Sequence, residues 1–291
     1  MLVLLRIGLG WHFLYQGIWK LNNPSFTSAG FLRNAKGPFA EMFHSAIPDL
    51  YGQERLDEEL VKERWKAREK EFADFFKLDE DQQNQVDKLR GYYDQELTEF
   101  HELFSEEIVK YKGELQRYEE ARKDPSSKVV GYQKERLHDK RLELLAMSKP
   151  WIETIDELGT SFEEELHGVL NDEQKSLGTL PRPASKLDWM DTLVTFSNIA
   201  IGACLMLGLF TRFAAACGAM FLLSIVLAQP EWPTIYPPAP PSAGRALIVN
   251  KEFIEMMVLA TLATLPVGRW AGLDFFVHNL LVRPLRGKGE A

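Results

Sequence analysis

TLVTFSNIAIGACLMLGLFTRFAAACGAMFLLSIVLAQP, residues 192–230, contains a single charged side chain, Arg212. That arginine divides the stretch into Thr192–Thr211 and Phe213–Pro230. A helix needs about 20 apolar residues to cross the hydrocarbon core of a bilayer, with a working range of roughly 17–25. Each half fits one crossing. Leu209-Phe210-Thr211-Arg212-Phe213 is then a tight turn that closes a helical hairpin. A buried core helix is also apolar, but two adjacent uncharged segments of this length favour lipid as their surroundings.

Working outward, residues 247–268 form a third candidate span, polar at its start through Lys251, Glu252 and Glu255. Met1–Leu21 forms a fourth and carries Arg6, His12 and Lys20. It reads as a retained helix rather than a cleaved leader, because it lacks a basic start and a small-x-small cleavage site. Cys204 and Cys217 flank the turn inside predicted spans and read as small packing residues, with mutual facing as the alternative. Lys and Arg near span ends favour the cytoplasm. With four crossings, Arg212 shares a side with Arg283, Arg286 and Lys288. Both termini are expected on that side, and the long middle of the chain and the 230–250 loop on the other.

The middle is a different material. From Asp49 to Asp191 there are 36 Asp/Glu and 23 Lys/Arg, a net of −13; the remainder holds 6 acids and 11 bases, a net of +5, giving −8 in all. Val86, Leu89, Tyr93, Leu97, Phe100, Phe104, Ile108, Tyr111, Leu115 and Tyr118 recur every three or four residues. This is close to an 11-residue repeat, about 3.67 residues per turn, which keeps one stripe on a nearly straight helix. Trp151, Ile155, Leu158, Phe162, Leu166 and Val169 repeat the theme. Residues 54–76 and 132–147 are also helix-like, with breaks expected at Asp124-Pro125 and Lys149-Pro150. Leu78-Asp79-Glu80-Asp81-Gln82 is echoed by Leu170-Asn171-Asp172-Glu173-Gln174, and each suits a helix start with a capping Gln. Phe26, Phe31, Leu32, Phe39, Met42 and Phe43 suggest a segment lying at the membrane surface. Six prolines between Gln229 and Pro241 suggest a stiff extended lid or spacer.

The expected fold class is all-α: a four-helix transmembrane bundle with a coiled-coil-like, long-helix extracytoplasmic bundle inserted between spans one and two. The expected divisions are 1–48, 49–187 and 188–291.

Ionisable groups inside a bilayer are costly and either pair or face a cavity. His12, Gln16 and Lys20 are four apart and share a helix face. With Lys20 at the outer end, His12 lies about 12 Å deeper. Glu252 and Glu255 open the last span at the outer level, and Asn198 falls near the depth of His12. A Lys20 ion pair with Glu252 or Glu255 is predicted, above His12, Gln16 and Asn198, as either a functional site or a structural clamp. Trp11, Tyr15 and Trp19 are interface anchors or the walls of a ligand pocket. His101, His138 and His167 lie among charges and are expected to be solvated. No metal-ligand spacing, phosphate loop or nucleophile elbow is present, no metal is expected, and the acidic insertion argues against nucleic acid.

Four stretches resemble the DoxX/DoxD family of four-helix membrane proteins. They are Leu5-Arg6-Ile7-Gly8 through Gly17-Ile18-Trp19-Lys20, Leu207-Gly208-Leu209-Phe210-Thr211-Arg212, Asn250-Lys251-Glu252, and Gly268-Arg269-Trp270-Ala271-Gly272-Leu273-Asp274. Ala29-Gly30-Phe31-Leu32 with Gly37-Pro38-Phe39 is more similar to the DoxD branch. The resemblance spans residues 1–48 and 188–280; the large insertion replaces the family's short connection. It implies a multi-pass protein of a prokaryotic inner or plasma membrane, and a subunit of a quinone-linked oxidoreductase of the thiosulfate-oxidising class. Lys20, Glu252, Arg269 and Asp274 are the matching positions, the last two as a lock closing the final helix. On this basis His12, Lys20, Glu252 and Glu255 are the expected catalytic residues. Trp11, Gln16 and Asn198 are expected to hold a quinone, with lipid and a second subunit or another copy as partners. The alternative is a non-enzymatic membrane anchor whose insertion scaffolds an extracytoplasmic partner.

Overall fold

The computed structural model describes residues 1–125, 130–232, 235–236 and 249–282. Among these the chain is helical, with no strand: α1 (Leu2–Leu21), α2 (Ala29–Arg33), α3 (Ala40–His44), α4 (Glu58–Phe76), α5 (Glu80–Leu103), α6 (Ser105–Lys123) and α7 (Gly131–Gly168). There follow α8 (Asp172–Lys175), α9 (Lys186–Leu207), α10 (Thr211–Ala228), α11 (Lys251–Thr264), α12 (Val267–Trp270) and α13 (Asp274–Val277). The chain divides into two compact units, one of residues 1–48 with 184–291, the other of residues 49–183.

In the first unit α1 packs along α9, α9 along α10, and α10 along α11. Small residues set the closeness of the first pair: a Cβ on Gly202 would strike the backbone of Leu14, and one on Gly17 would strike Ile199. Phe13, Ile201, Leu205, Ala215, Leu222, Leu259 and Leu262 form the core. The α9–α10 hairpin turns where expected. Gly208 has φ 65° and closes α9 in the left-handed region that glycine enters at little cost.

Two helices, α9 and α10, are long and apolar enough to cross a membrane. The expectation of four is met only to that extent. The span expected at 247–268 is a helix of 14 residues ending at Thr264, because Pro266 cannot continue it. Arg6, His12, Gln16 and Lys20 lower the hydropathy of α1. The surface segment contains α2 and α3, with Leu32 and Phe43 buried but Phe39 and Met42 exposed. Most of the proline-rich loop and the tail bases Arg283, Arg286 and Lys288 lie outside the described residues.

The second unit has its own core. The predicted stripe supplies Val86, Tyr93, Leu97, Ile108, Tyr111, Leu115 and Tyr118, and the other helices supply Trp65, Phe72, Phe76, Leu144, Ile155, Phe162 and Leu166. Each large side chain so buried contributes about 1.5–3 kcal/mol. The buried phenols are satisfied: Tyr111 donates to the Tyr51 carbonyl at 2.6 Å and Tyr93 to Glu165 at 2.7 Å. Burial raises the Tyr93 phenol to about 12, and the Glu165 hydrogen bond acts in the same sense.

Three local expectations change. The stripe is not on one helix, since α5 and α6 meet at Phe104, whose ring packs between Phe100 and Trp151. No break occurs at Pro150, which lies inside the 38-residue α7. Proline in a helix interior costs about 3 kcal/mol. Core contacts on both sides, at Leu144 and Ile155, outweigh that cost. Histidines expected in solvent are partly enclosed: His167 meets Phe72 and Phe76 edge-on, and His101 is half-buried with Nε2 unpartnered.

The two echoed segments do form capping boxes, Asp79 with Gln82 and Asn171 with Gln174. They also bond to each other. Gln82 Nε2 donates to Gln174 Oε1 at 2.8 Å, and Gln174 Nε2 returns a bond to Gln82 Oε1 at 3.0 Å. The same amides reach the Val169 and Phe76 carbonyls, so each stitches the end of one helix to the start of another.

Candidate functional site

A cavity of about 430 Å³ opens in the first unit between α1, α2, α9, α10 and α11. Its polar lining includes His12, Gln16, Lys20, Asn198, Glu252 and Glu255, joined by Lys251, Thr27, Ser28 and Ser224, and its apolar walls include Phe26, Phe31, Phe43 and Phe221. Six of the seven residues named from sequence therefore meet in one place. Trp11 does not: it is 55% exposed, on an adjacent strip of α1 with Tyr15 and Trp19 that the cavity does not reach. This strip suits interface anchoring.

The expected ion pair between Lys20 and a glutamate of α11 is absent. Lys20 Nζ donates to the Gln16 carbonyl at 3.5 Å and lies 5.4 Å from the centre of the Phe26 ring. Glu255 is instead partnered from its own helix, by Lys251 at 3.7 Å, and from α1 by His12 Nε2 at 4.0 Å. The local cause is spacing: residues four apart on a helix are neighbours and need no tertiary alignment. Among the described residues Glu252 has no hydrogen-bond or ion-pair partner, and Lys20 has no acidic one. Both line the cavity.

His12 sits between a donor and an acceptor. Lys251 Nζ lies 3.4 Å from His12 Nε2. A lysine ammonium only donates and a carboxylate only accepts, so Nε2 serves one of these neighbours at a time, Lys251 through its lone pair or Glu255 through its N–H. Asn198 is 3% exposed and its Oδ1 has no partner. An unpaired buried amide oxygen costs about 1–3 kcal/mol, which a ligand donor would recover.

The segment that roofs the cavity is held in place by bonds that the sequence did not announce. Ser28 N donates to Asp191 Oδ1 at 2.7 Å, and its hydroxyl makes a second, short bond to the same oxygen. Lys36 N donates to the Ala228 carbonyl at 2.8 Å and Gln229 Nε2 to the Phe31 carbonyl at 3.3 Å. Asp191, Lys251 and the phenylalanine walls were all missed, since nothing local marks them as site residues.

The lock at Asp274 also has different parts. Asp274 accepts from the Phe210 and Thr211 amides at 2.7 and 3.0 Å, capping α10, while Arg269 is exposed. Arg6, only 2% exposed, is electrostatically coupled to Asp274 without forming an ion pair, and its Nε and Nη1 have no hydrogen-bond partner among the described residues. A larger open groove of about 850 Å³ lies in the second unit between α6 and α7. Its Lys140 is paired with Glu114 at 2.7 Å and with Glu143 at 2.9 Å, and the groove gathers none of the seven residues named from sequence, so the smaller cavity is the better candidate. Among the described residues no group of three His, Cys, Asp or Glu side chains is placed to hold a metal ion. No protein-family model matches the chain, and no characterised protein or solved structure resembles it significantly.

Proposed function

We propose that the first unit is a four-helix membrane bundle of the DoxX/DoxD kind, acting as a subunit of a quinone-linked oxidoreductase whose quinone occupies the cavity beside His12. The family assignment rests on the four short stretches of sequence. The observation that carries the ligand is the cavity itself, with aromatic walls, an unpartnered Asn198 oxygen and His12 within 4.0 Å of both Lys251 and Glu255. Ring-shaped apolar ligands with two carbonyls suit such a site: the walls cover the ring, and Lys20 or Gln16 donates to a carbonyl. In the thiosulfate reaction two thiosulfates join as tetrathionate and release two electrons. The quinone takes these with two protons to become a quinol. His12 and Glu255 supply the proton path. No residue of this chain is an electron carrier, so a partner subunit brings the thiosulfate-derived electrons. Membranes carrying Lys20→Ala or Glu252→Gln are expected to lose thiosulfate-dependent quinone reduction at least tenfold at equal expression. Unchanged rates in both would end this assignment of the site.

A second reading is a membrane anchor whose insertion scaffolds a partner outside the membrane. It is favoured by large apolar side chains exposed on the second unit, Leu103 at 72% and Val109 and Tyr132 at 70%. Replacing residues 49–183 with a flexible linker separates the two. Redox activity retained after the replacement makes the insertion a docking module of the oxidoreductase, whereas lost partner copurification, with no thiosulfate-dependent quinone reduction by the unaltered protein either, favours the scaffold.

A further inference from the structure

At the opposite end of α10 from the cavity lies a second hollow, of about 230 Å³, lined by Phe210, Arg212, Phe213, Arg269, Asp274 and His278 among others. Its depth in a membrane follows from the hairpin. Helices α9 and α10, about 33 and 27 Å long, each match a hydrocarbon core of about 30 Å. Their connecting turn therefore falls among lipid headgroups.

The hollow is cationic and under-used. Arg212 spends one N–H, Nε, on the Ala263 carbonyl at 2.9 Å. A guanidinium has five such donors, so four remain. Arg269 has no side-chain partner among the described residues, and His278 Nδ1 is buried without one. Asp274 also lines the hollow, and each of its oxygens accepts one backbone amide, from Phe210 and from Thr211. Two guanidiniums thus share the hollow with one carboxylate that forms an ion pair with neither among the described residues. Around them Phe210, Phe213 and Trp270 are 58%, 72% and 58% exposed. Exposed aromatic rings beside arginine are what the headgroup level of a bilayer favours.

We infer that this hollow binds the phosphate of an anionic phospholipid, gripped by Arg212, Arg269 and His278, with the acyl chains against Phe210 and Phe213. The planar fork of arginine matches phosphate oxygens bidentately. The site is separate from the quinone cavity and stands whether or not that assignment does.

The test uses the full chain in uncharged detergent. Retention by native mass spectrometry and the thermal midpoint are followed with phosphatidylglycerol, with phosphatidylcholine of the same chains, and with inorganic phosphate. Phosphatidylglycerol alone is expected to be retained and to raise the midpoint. Arg269→Gln combined with His278→Gln should weaken it about tenfold, while Arg33→Gln, at an exposed position of α2, should not. Equal effects of the two lipids would overturn the inference, as would displacement by inorganic phosphate at lipid-like concentration, or unchanged retention in the double variant. The comparison of lipids on the unaltered protein decides the matter even where the variant does not fold.

Discussion

Asp274 is a residue whose worth depends wholly on its neighbours. Its two oxygens satisfy two amides at the start of α10, and its charge is coupled electrostatically to buried Arg6 without an ion pair. Losing a helix cap costs about 0.5–2 kcal/mol. Leaving a buried donor without its acceptor costs about 1–3 kcal/mol. Asp274→Ala is therefore expected to lower the unfolding free energy of the first unit by roughly 1–3 kcal/mol, read by chemical denaturation in detergent. Asp274→Asn, which keeps one acceptor, should lose less than alanine; equal losses would deny the amide bonds their role. The sequence marked Asp274 only through a resemblance, and paired it in expectation with Arg269. Arg6 was in view as a charge in a span, but its 2% exposure was not legible, because it arises from the approach of Gly208 and Gly272 around it. Lys20 shows the same limit: its position on the His12–Gln16 face was readable, its partner was not.

Among the elements, α7 departs furthest from local rules. Pro150 removes one backbone bond in the middle of a continuous helix, and the Thr154 hydroxyl donates back to the Pro150 carbonyl at 3.0 Å. Since the helix already runs unbroken through this position, Pro150→Ala is expected to stabilise the second unit by about 1–3 kcal/mol. A thermal midpoint that rises checks this; a fall would mean that the proline ends one helix and starts another. The breaks and stops of the other elements were mixed in legibility. The capping boxes at Asp79 and Asn171 are local chemistry and could be read directly. The reciprocal bond between Gln82 and Gln174 joins residues 92 apart and could not. The interruption at Phe104 was invisible for a related reason, as the apolar period runs through it unbroken.

For the whole molecule, the two units have separate cores and separate chemistry. Residues 49–183 alone are expected to be soluble without detergent and to unfold cooperatively, followed by helical circular dichroism; an insoluble or non-cooperative product would contradict this. The stability of that fragment should fall in acid. Glu58 is held below the usual carboxylate range chiefly by the Lys62 hydrogen bond, and Glu114 by that from Lys140. Their contribution is complete above the unfolded glutamate value of about 4.3 and is lost as pH falls through the lowered folded values. Glu69, raised mainly by burial, opposes them, its contribution being present below the unfolded value and lost as pH rises through its own. From sequence alone came the helical class, the apolar hairpin of α9 and α10, the aromatic stripes and the helix starts. All of these are written in spacing within some twenty residues, and helical periodicity is a local property. Only the tertiary structure decided that His12 joins Glu255, that Ser28 anchors to Asp191 across 163 positions, and that a cavity opens between them. Such pairings depend on which helices touch and how closely, and that is set by packing between segments whose separation in the chain carries no record of it.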